Sequence, residues 1–246
     1  MPPQQREEPS RLTPRMLVVA VGCVAVAASA LVAASVLGAR GDATETTSSD
    51  PVLVDAAPAG RAPLLRGLPQ DGIVLGRPDA PLTVVEYADL QCPYCAQWSR
   101  DAFPTIVDDY VRTGRVRMVF RGMAFIGPDS DTALRAALAA GEQDRLWDVV
   151  HALYARQGAE NSGWVTTDLL RGLGRSGLDA ERMLDESHSP AVARQLDAAA
   201  EAAAAAHVPG TPYFEAGPTG GALVPLEPGT LDALSFAAEL DQLLET

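Results

Sequence analysis

The run of apolar and polar positions divides the chain into unlike parts. Residues 16–39, MLVVAVGCVAVAASALVAASVLGA, contain no charged side chain. About 20 apolar residues in a helix span a bilayer, so this run predicts a transmembrane anchor. Residues 40–69 show no sustained period and are rich in Thr, Ser, Ala, Pro and Gly, the composition of a flexible linker. Residues 70–246 carry the signals of a folded domain. Ile73 to Leu75 form a short apolar stretch, and the turn cluster GRPDAP ends it. LTVVEYADL, residues 82–90, has the β-branched and aromatic content of a buried strand. Cys95, Trp98, Ala102, Ile106 and Tyr110 then recur at three- and four-residue steps and predict an amphipathic helix. Pro93 suits the first helical position, and Pro104 predicts a kink. VRMVFRGM, residues 116–123, reads as a second strand, so strand, helix and strand make a parallel βαβ unit.

The pattern changes after residue 131. From Asp131 to about His207 the chain is rich in Ala, Leu, Arg and acidic residues, and three or four helices are expected. Glycine- and serine-containing breaks at 158–163, 172–177 and 187–190 separate them. ARQLDAAAEAAAAAH has a very high helix propensity. TPYFEAG and ALVPLE then read as two short strands of a hairpin. Residues 230–244 read as a closing helix with Thr230 as its N-cap.

Charge orients the apolar run. Arg6, Arg11 and Arg15 precede it, whereas Asp42, Glu45 and Asp50 soon follow. Positive flanks stay cytoplasmic, so residues 1–15 are expected inside and the folded domain outside, a single-pass protein of the cell membrane. A cleaved signal peptide, with ASA at 28–30 as its processing site, is the rival reading and exports the same domain. Cys23 lies within this run as a small apolar residue. The net charge of −13 falls entirely beyond residue 69, and all 19 basic residues are Arg. Such an acidic domain is unsuited to holding nucleic acid through its phosphates.

Two of the three cysteines lie together in DLQCPYCAQW, residues 89–98. A zinc site normally draws on four ligands, and there is no second C-x-x-C. His151, His188 and His207 are scattered without ligand spacing, so no metal is expected. A disulfide closing so short a loop restrains the unfolded chain little. A redox role accounts for the local sequence. Cys92 stands at the N-terminus of the predicted helix, where unpaired N–H groups and the helix dipole favour a thiolate. Cys95 is one turn further in, placed to resolve a mixed disulfide. Export would set the pair in an oxidising compartment.

VVEYADLQCPYC together with HVPGTPYF resembles the DsbA type of thioredoxin-like disulfide oxidoreductase, in its membrane-anchored or exported bacterial form. The resemblance covers about residues 70–244, and its two motifs stand roughly 115 residues apart. It implies an α/β fold, a thioredoxin core interrupted by a helical insertion at about 131–207. It implies that Cys92 is the nucleophile and Cys95 the resolving cysteine, with Pro93 and Tyr94 completing the motif. Thr211 and Pro212 match the cis-proline loop that binds substrate as an added strand. Glu86 matches a buried acid that exchanges protons with Cys95; a solvent-facing strand residue or an ion pair is the alternative. Asp89 is read as a loop residue. Tyr94 departs from the family pattern, which has His there, and so withholds a positive charge from the thiolate. The implied activity is disulfide donation to exported cysteine-containing proteins. No cofactor beyond a redox-active Cys92–Cys95 disulfide is implied, and a quinone-linked membrane partner would reoxidise it. A reductase, an isomerase and a non-catalytic interaction module on the same scaffold remain the alternatives.

Overall fold

The computed structural model describes residues 64–174 and 177–245. The predicted anchor at 16–39, and all of the linker before Leu64, lie outside the described residues. Leu64 to Pro69, assigned to the linker by composition, pack on the domain. Leu65 is buried and Leu68 half-buried against the core. The Arg112 guanidinium donates to the carbonyl oxygens of Leu64 and Arg66. Two leucines outweigh the surrounding Pro and Gly once an apolar surface is available.

β1 (Gln70–Asp71) and β2 (Val74–Leu75) form a minimal hairpin on one edge of the sheet. β3 (Leu82–Asp89) and β4 (Val116–Met123) are the parallel pair. β5 (Tyr213–Pro218) lies antiparallel to β3, and β6 (Val224–Pro225) closes the other edge. The strand order is β1-β2-β4-β3-β5-β6. β3 is thus central and buried along its whole length. Its alternation sends Val84 and Ala88 to the main core, and Val85 and Tyr87 to a smaller cluster on the opposite face. Glu86 has the parity of Val84 and Ala88, so its carboxylate is turned into the main core.

The helix predicted after the cysteine motif is present but broken. α1 (Pro93–Asp101) ends at Ala102, α2 (Phe103–Ile106) follows, and residues Val107–Val111 continue as a π-helical turn. Pro104 has no N–H to give back to the preceding turn, so the break falls just before it. Trp98 from α1 packs 4.9 Å from Phe214 of β5, ring to ring, and 5.5 Å from Phe236. Phe236 belongs to α8 (Ala233–Leu244). The cap of α8 is Asp232, not the expected Thr230: its carboxylate accepts from the N–H groups of both Leu234 and Ser235. A carboxylate serves two N–H groups better than one hydroxyl does, and the Thr230 hydroxyl instead donates to Asp232.

Among the described residues, five helices fill the expected insertion, rather than three or four. They are α3 (Pro128–Gly141), α4 (Leu146–Ala155), α5 (Thr167–Arg171), α6 (Ala180–Glu186) and α7 (Pro190–Ala205). The first begins at Pro128, three residues before the compositional change at Asp131, because Pro at the first position starts a helix well. α5 and α6 are too short for a periodic signal. α7 returns across the back of the sheet, where Ala203 packs with Val85 and Tyr87. α3 approaches β4 closely: a Cβ on Gly122 would lie 2.0 Å from Leu134 Cδ1. α4 closes over α1 and the start of α2, where the Phe103 ring stacks on Trp147 at 5.6 Å. These helices are therefore part of the main core.

Candidate active site

Cys92 is the N-cap of α1. Its backbone is extended (φ −67°, ψ 121°), and Pro93 takes the first helical position. Its sulfur makes no capping hydrogen bond, but the backbone N–H groups of Tyr94 and Cys95 at the helix start favour its ionised form. The two cysteines are free thiols. The Cys92 thiol donates to the Thr211 carbonyl oxygen at 3.2 Å, and the Thr211–Pro212 peptide bond is cis. The resulting field brings the Cys92 thiol down to about 6. The first cause is a hydrogen bond from Cys95; those of the Thr211 side chain and of the Cys95 and Tyr94 backbone add to it, against the cost of burial. Cys95 is wholly buried. Burial first, then its hydrogen bond to Cys92 and the charges of Cys92 and Glu86, hold it as the neutral thiol.

Glu86 lies beneath this pair. It is 1 % exposed, and neither carboxylate oxygen has a hydrogen-bond partner. Burial raises its pKa to about 8, so at neutral pH it is a carboxylic acid with a proton to give. The three groups form a graded set: a thiolate on Cys92, a thiol on Cys95 and a carboxylic acid on Glu86. Such a set attacks or leaves at one sulfur and exchanges a proton at the other.

The sequence profile of the thioredoxin family matches residues 69–218. The chain belongs to the thioredoxin family. Over 143 residues this thioredoxin-family chain is 32% identical to the probable disulfide bond formation protein D of Bacillus cereus, covering 56% of this chain and 66% of that one. It is 36% identical over 116 residues to disulfide bond formation protein D of Bacillus subtilis, covering 46% of this chain and 50% of that one. The chain thus spans between half and two thirds of the length of these curated relatives. The crystal structure of oxidised BdbD from Bacillus subtilis superposes with a TM-score of 0.61 at 25% identity, covering 73% of this chain and 98% of that chain. The thioredoxin-like core with a helical insertion agrees with that neighbour.

The fold brings all the expected site residues of this thioredoxin-family chain together. Cys92, Pro93, Tyr94 and Cys95 occupy the cap and first turn of α1, Thr211 and Pro212 abut Cys92, and Glu86 lies under Cys95. Pro93 is exposed and Tyr94 is 63% exposed, so the Tyr94 side chain extends into solvent. No group of His, Cys, Asp or Glu among the described residues is arranged to hold a metal ion.

Sequence reasoning missed the residues that fix the loop before Cys92. Asp89, read as a loop residue, ends β3 and is fully buried. Its carboxylate accepts from the Gln91 N–H (2.8 Å), the Ser130 hydroxyl (2.6 Å) and the N–H groups of Phe125 (3.0 Å) and Ile126 (3.2 Å). Gln91 in turn donates to Ser130 and Asn161 and accepts from the Asn161 N–H. Gln157 donates to the carbonyls of Leu90 and Cys92. The insertion therefore holds the active-site loop by a chain of hydrogen bonds. Only the polar Asp-Leu-Gln run before Cys92, in an otherwise apolar strand end, hinted at it.

Proposed function

We propose that this chain is a thiol–disulfide oxidoreductase that donates disulfides to exported proteins. The observation that carries the reading is the contrast between its two sulfurs. Cys92 is brought down to about 6, whereas burial keeps Cys95 protonated. A low thiol pKa stabilises the reduced state and so makes the disulfide the stronger oxidant. The names of the Bacillus relatives, which are disulfide bond formation proteins, support the same direction.

In the proposed cycle, a substrate thiolate attacks Cys92 Sγ of the oxidised pair. The Cys92–Cys95 bond breaks, and Cys95 leaves and takes the Glu86 proton. The second substrate thiol, as its thiolate, then attacks the substrate sulfur bound to Cys92. Cys92 departs as the stable thiolate, and the substrate is released as a disulfide. The Thr211 backbone next to Cys92 would hold the substrate chain as an added strand. A quinone-linked membrane partner would return the pair to the disulfide. The apolar run at 16–39 would anchor the chain, its arginine flank inside and the domain outside the cell; reporter fusions at Ser48 should read as extracytoplasmic.

Titration of the purified domain against glutathione tests the direction. DsbA at about −120 mV and thioredoxin at about −270 mV bracket the scale, and Tyr94 in place of His places the expected value between them, nearer the oxidising end. A potential at or below that of thioredoxin, with the pair mostly reduced in cells, would make the chain a reductase or isomerase. A wild-type pair without dithiol turnover would leave a non-catalytic interaction module.

A further inference from the structure

Cys95 is the sulfur that carries charge away from the broken disulfide, and it does so in a dry place. It is wholly buried, and burial weighs first against its ionised form. The gap between α1 and α4 that Glu86 and Tyr154 line is too narrow for a water molecule, so water does not serve as a donor from that side. Glu86 itself has no hydrogen-bond partner, so its proton is not shared with the sulfur when the bond breaks. A buried thiolate with no donor in contact is costly. Besides Cys92, the Cys95 sulfur meets the Asp89 backbone, and the Tyr154 hydroxyl lies within hydrogen-bonding reach of it.

Tyr154, on α4 of the insertion, is 1 % exposed. Its hydroxyl donates to the Asp89 carbonyl oxygen at 3.3 Å, well beyond the about 2.7–2.8 Å at which O–H···O bonds cluster. The hydroxyl is thus loosely held, with an oxygen and a sulfur both in reach. The backbone that carries it is fixed. The Arg100 guanidinium of α1 donates to the Tyr154 carbonyl oxygen at 3.4 Å, and Gln157, just beyond α4, holds the Leu90 and Cys92 carbonyls. The end of α4 is therefore pinned to the active-site loop and to α1. A turn of the O–H bond alone, with the ring in place, moves the donor from oxygen to sulfur.

We propose that the Tyr154 hydroxyl is the hydrogen-bond donor that holds the negative charge on Cys95 as it leaves Cys92. The proposal rests on the disulfide-exchange reading above and deepens it by a residue of the inserted helices. A substrate thiolate attacks Cys92 Sγ and forms the mixed disulfide. The Cys92–Cys95 bond breaks, and its electron pair goes to Cys95 Sγ. The Tyr154 O–H turns from the Asp89 carbonyl to that sulfur, and no proton changes owner in this step. Protonation of Cys95 follows. In reoxidation Cys95 loses its proton to attack Cys92 Sγ, and the same hydrogen bond favours the thiolate. Tyr154 keeps its own proton throughout: burial first, then the charges of Cys95 and Glu86, raise the phenol well above its ordinary pKa.

The test is single-turnover oxidation of a two-cysteine peptide by the oxidised full chain, followed to its plateau rate at saturating peptide. Tyr154→Phe keeps the ring and removes only the hydroxyl. It should lower that plateau about 10-fold, the loss of one hydrogen bond to a charged group. The reference reaction is attack by the same peptide on a Cys92 mixed disulfide with 5-thio-2-nitrobenzoate in the Cys95→Ala chain. There the leaving group is the aromatic thiolate, so adding Tyr154→Phe should change the rate by less than about twofold. The midpoint of titration against glutathione should not move, since Cys95 is a neutral thiol in the reduced chain and part of a disulfide in the oxidised one. A wild-type plateau in Tyr154→Phe overturns the proposal. So does an equal slowing of both reactions, which marks a packing or docking role. A wild-type chain inert toward the peptide would instead overturn the oxidoreductase reading, and the donor role with it.

Discussion

The Cys92 thiol donates to the Thr211 carbonyl oxygen at 3.2 Å, across 119 residues of sequence. That contact brings the first turn of α1 against the turn that opens β5. The buried Thr211 hydroxyl, which has no hydrogen-bond partner, is placed to donate to the same sulfur once it ionises. Thr211→Val should therefore raise the Cys92 pKa by about one unit, toward the ordinary thiol value near 8.5. A one-unit rise corresponds to about 1.4 kcal/mol and a potential lower by about 30 mV. Thiolate absorbance against pH, and titration against glutathione, read the two effects.

The cysteines should fail in different ways. Cys92→Ser should abolish exchange, since the site's sulfur with thiolate character is gone. Cys95→Ser should accumulate mixed disulfides through Cys92, because nothing remains to resolve them. Non-reducing gels with mass mapping decide the matter, and trapped species on Cys95 in the Cys92→Ser chain would reverse the assignment.

Redox state should change how stability responds to pH. Glu86 is raised from 4.5 to about 8 in the folded chain, so between those values the native state holds a proton that the unfolded state has lost. Its contribution falls by about 1.4 kcal/mol for each pH unit through that window. Cys92 is lowered from 9.0 to about 6, so in the reduced chain its contribution grows as pH rises from 6 to 9. The oxidised chain has no Cys92 titration. Denaturant melts should show the reduced-minus-oxidised stability difference widening as pH rises from 6 to 9. Glu86→Gln should remove the loss between pH 5 and 8 that the wild type shows. A parallel pH dependence of the two redox states would contradict the Cys92 shift.

Asp89 should matter more to loop order than its neighbours in sequence suggest. Asp89→Asn sets amide hydrogens against groups that are themselves donors, leaving buried N–H or O–H groups unpaired. A loss of about 3 kcal/mol is expected. Faster hydrogen exchange at Gln91, Phe125 and Ile126 should accompany it. An unchanged melting midpoint would show that water or a rearranged loop satisfies these donors instead.

Much of the site was legible in the residues themselves. A C-x-x-C pair behind a strand and ahead of a helix specifies its own backbone: Pro93 starts the helix, Cys92 becomes its cap, and the local N–H groups do the rest. The 82–90 and 116–123 strands announced themselves by β-branched content, and the Ala-rich segment by helix propensity. These are short-range effects, decided by each residue and its near neighbours. Tertiary structure alone decided the rest. Whether Glu86 met solvent or core depended on the parity of a strand covered on both faces, which composition does not reveal. Asp89 looked like a loop residue because its four donors come from elements up to 41 residues away. Asp89 and Tyr154 carry no joint signal, since 65 residues separate them. Leu64 and Leu65 looked like linker until a core existed to receive them. Such contacts form only when the whole chain has paid the entropy of closing its loops, so their partners cannot be read from local pattern.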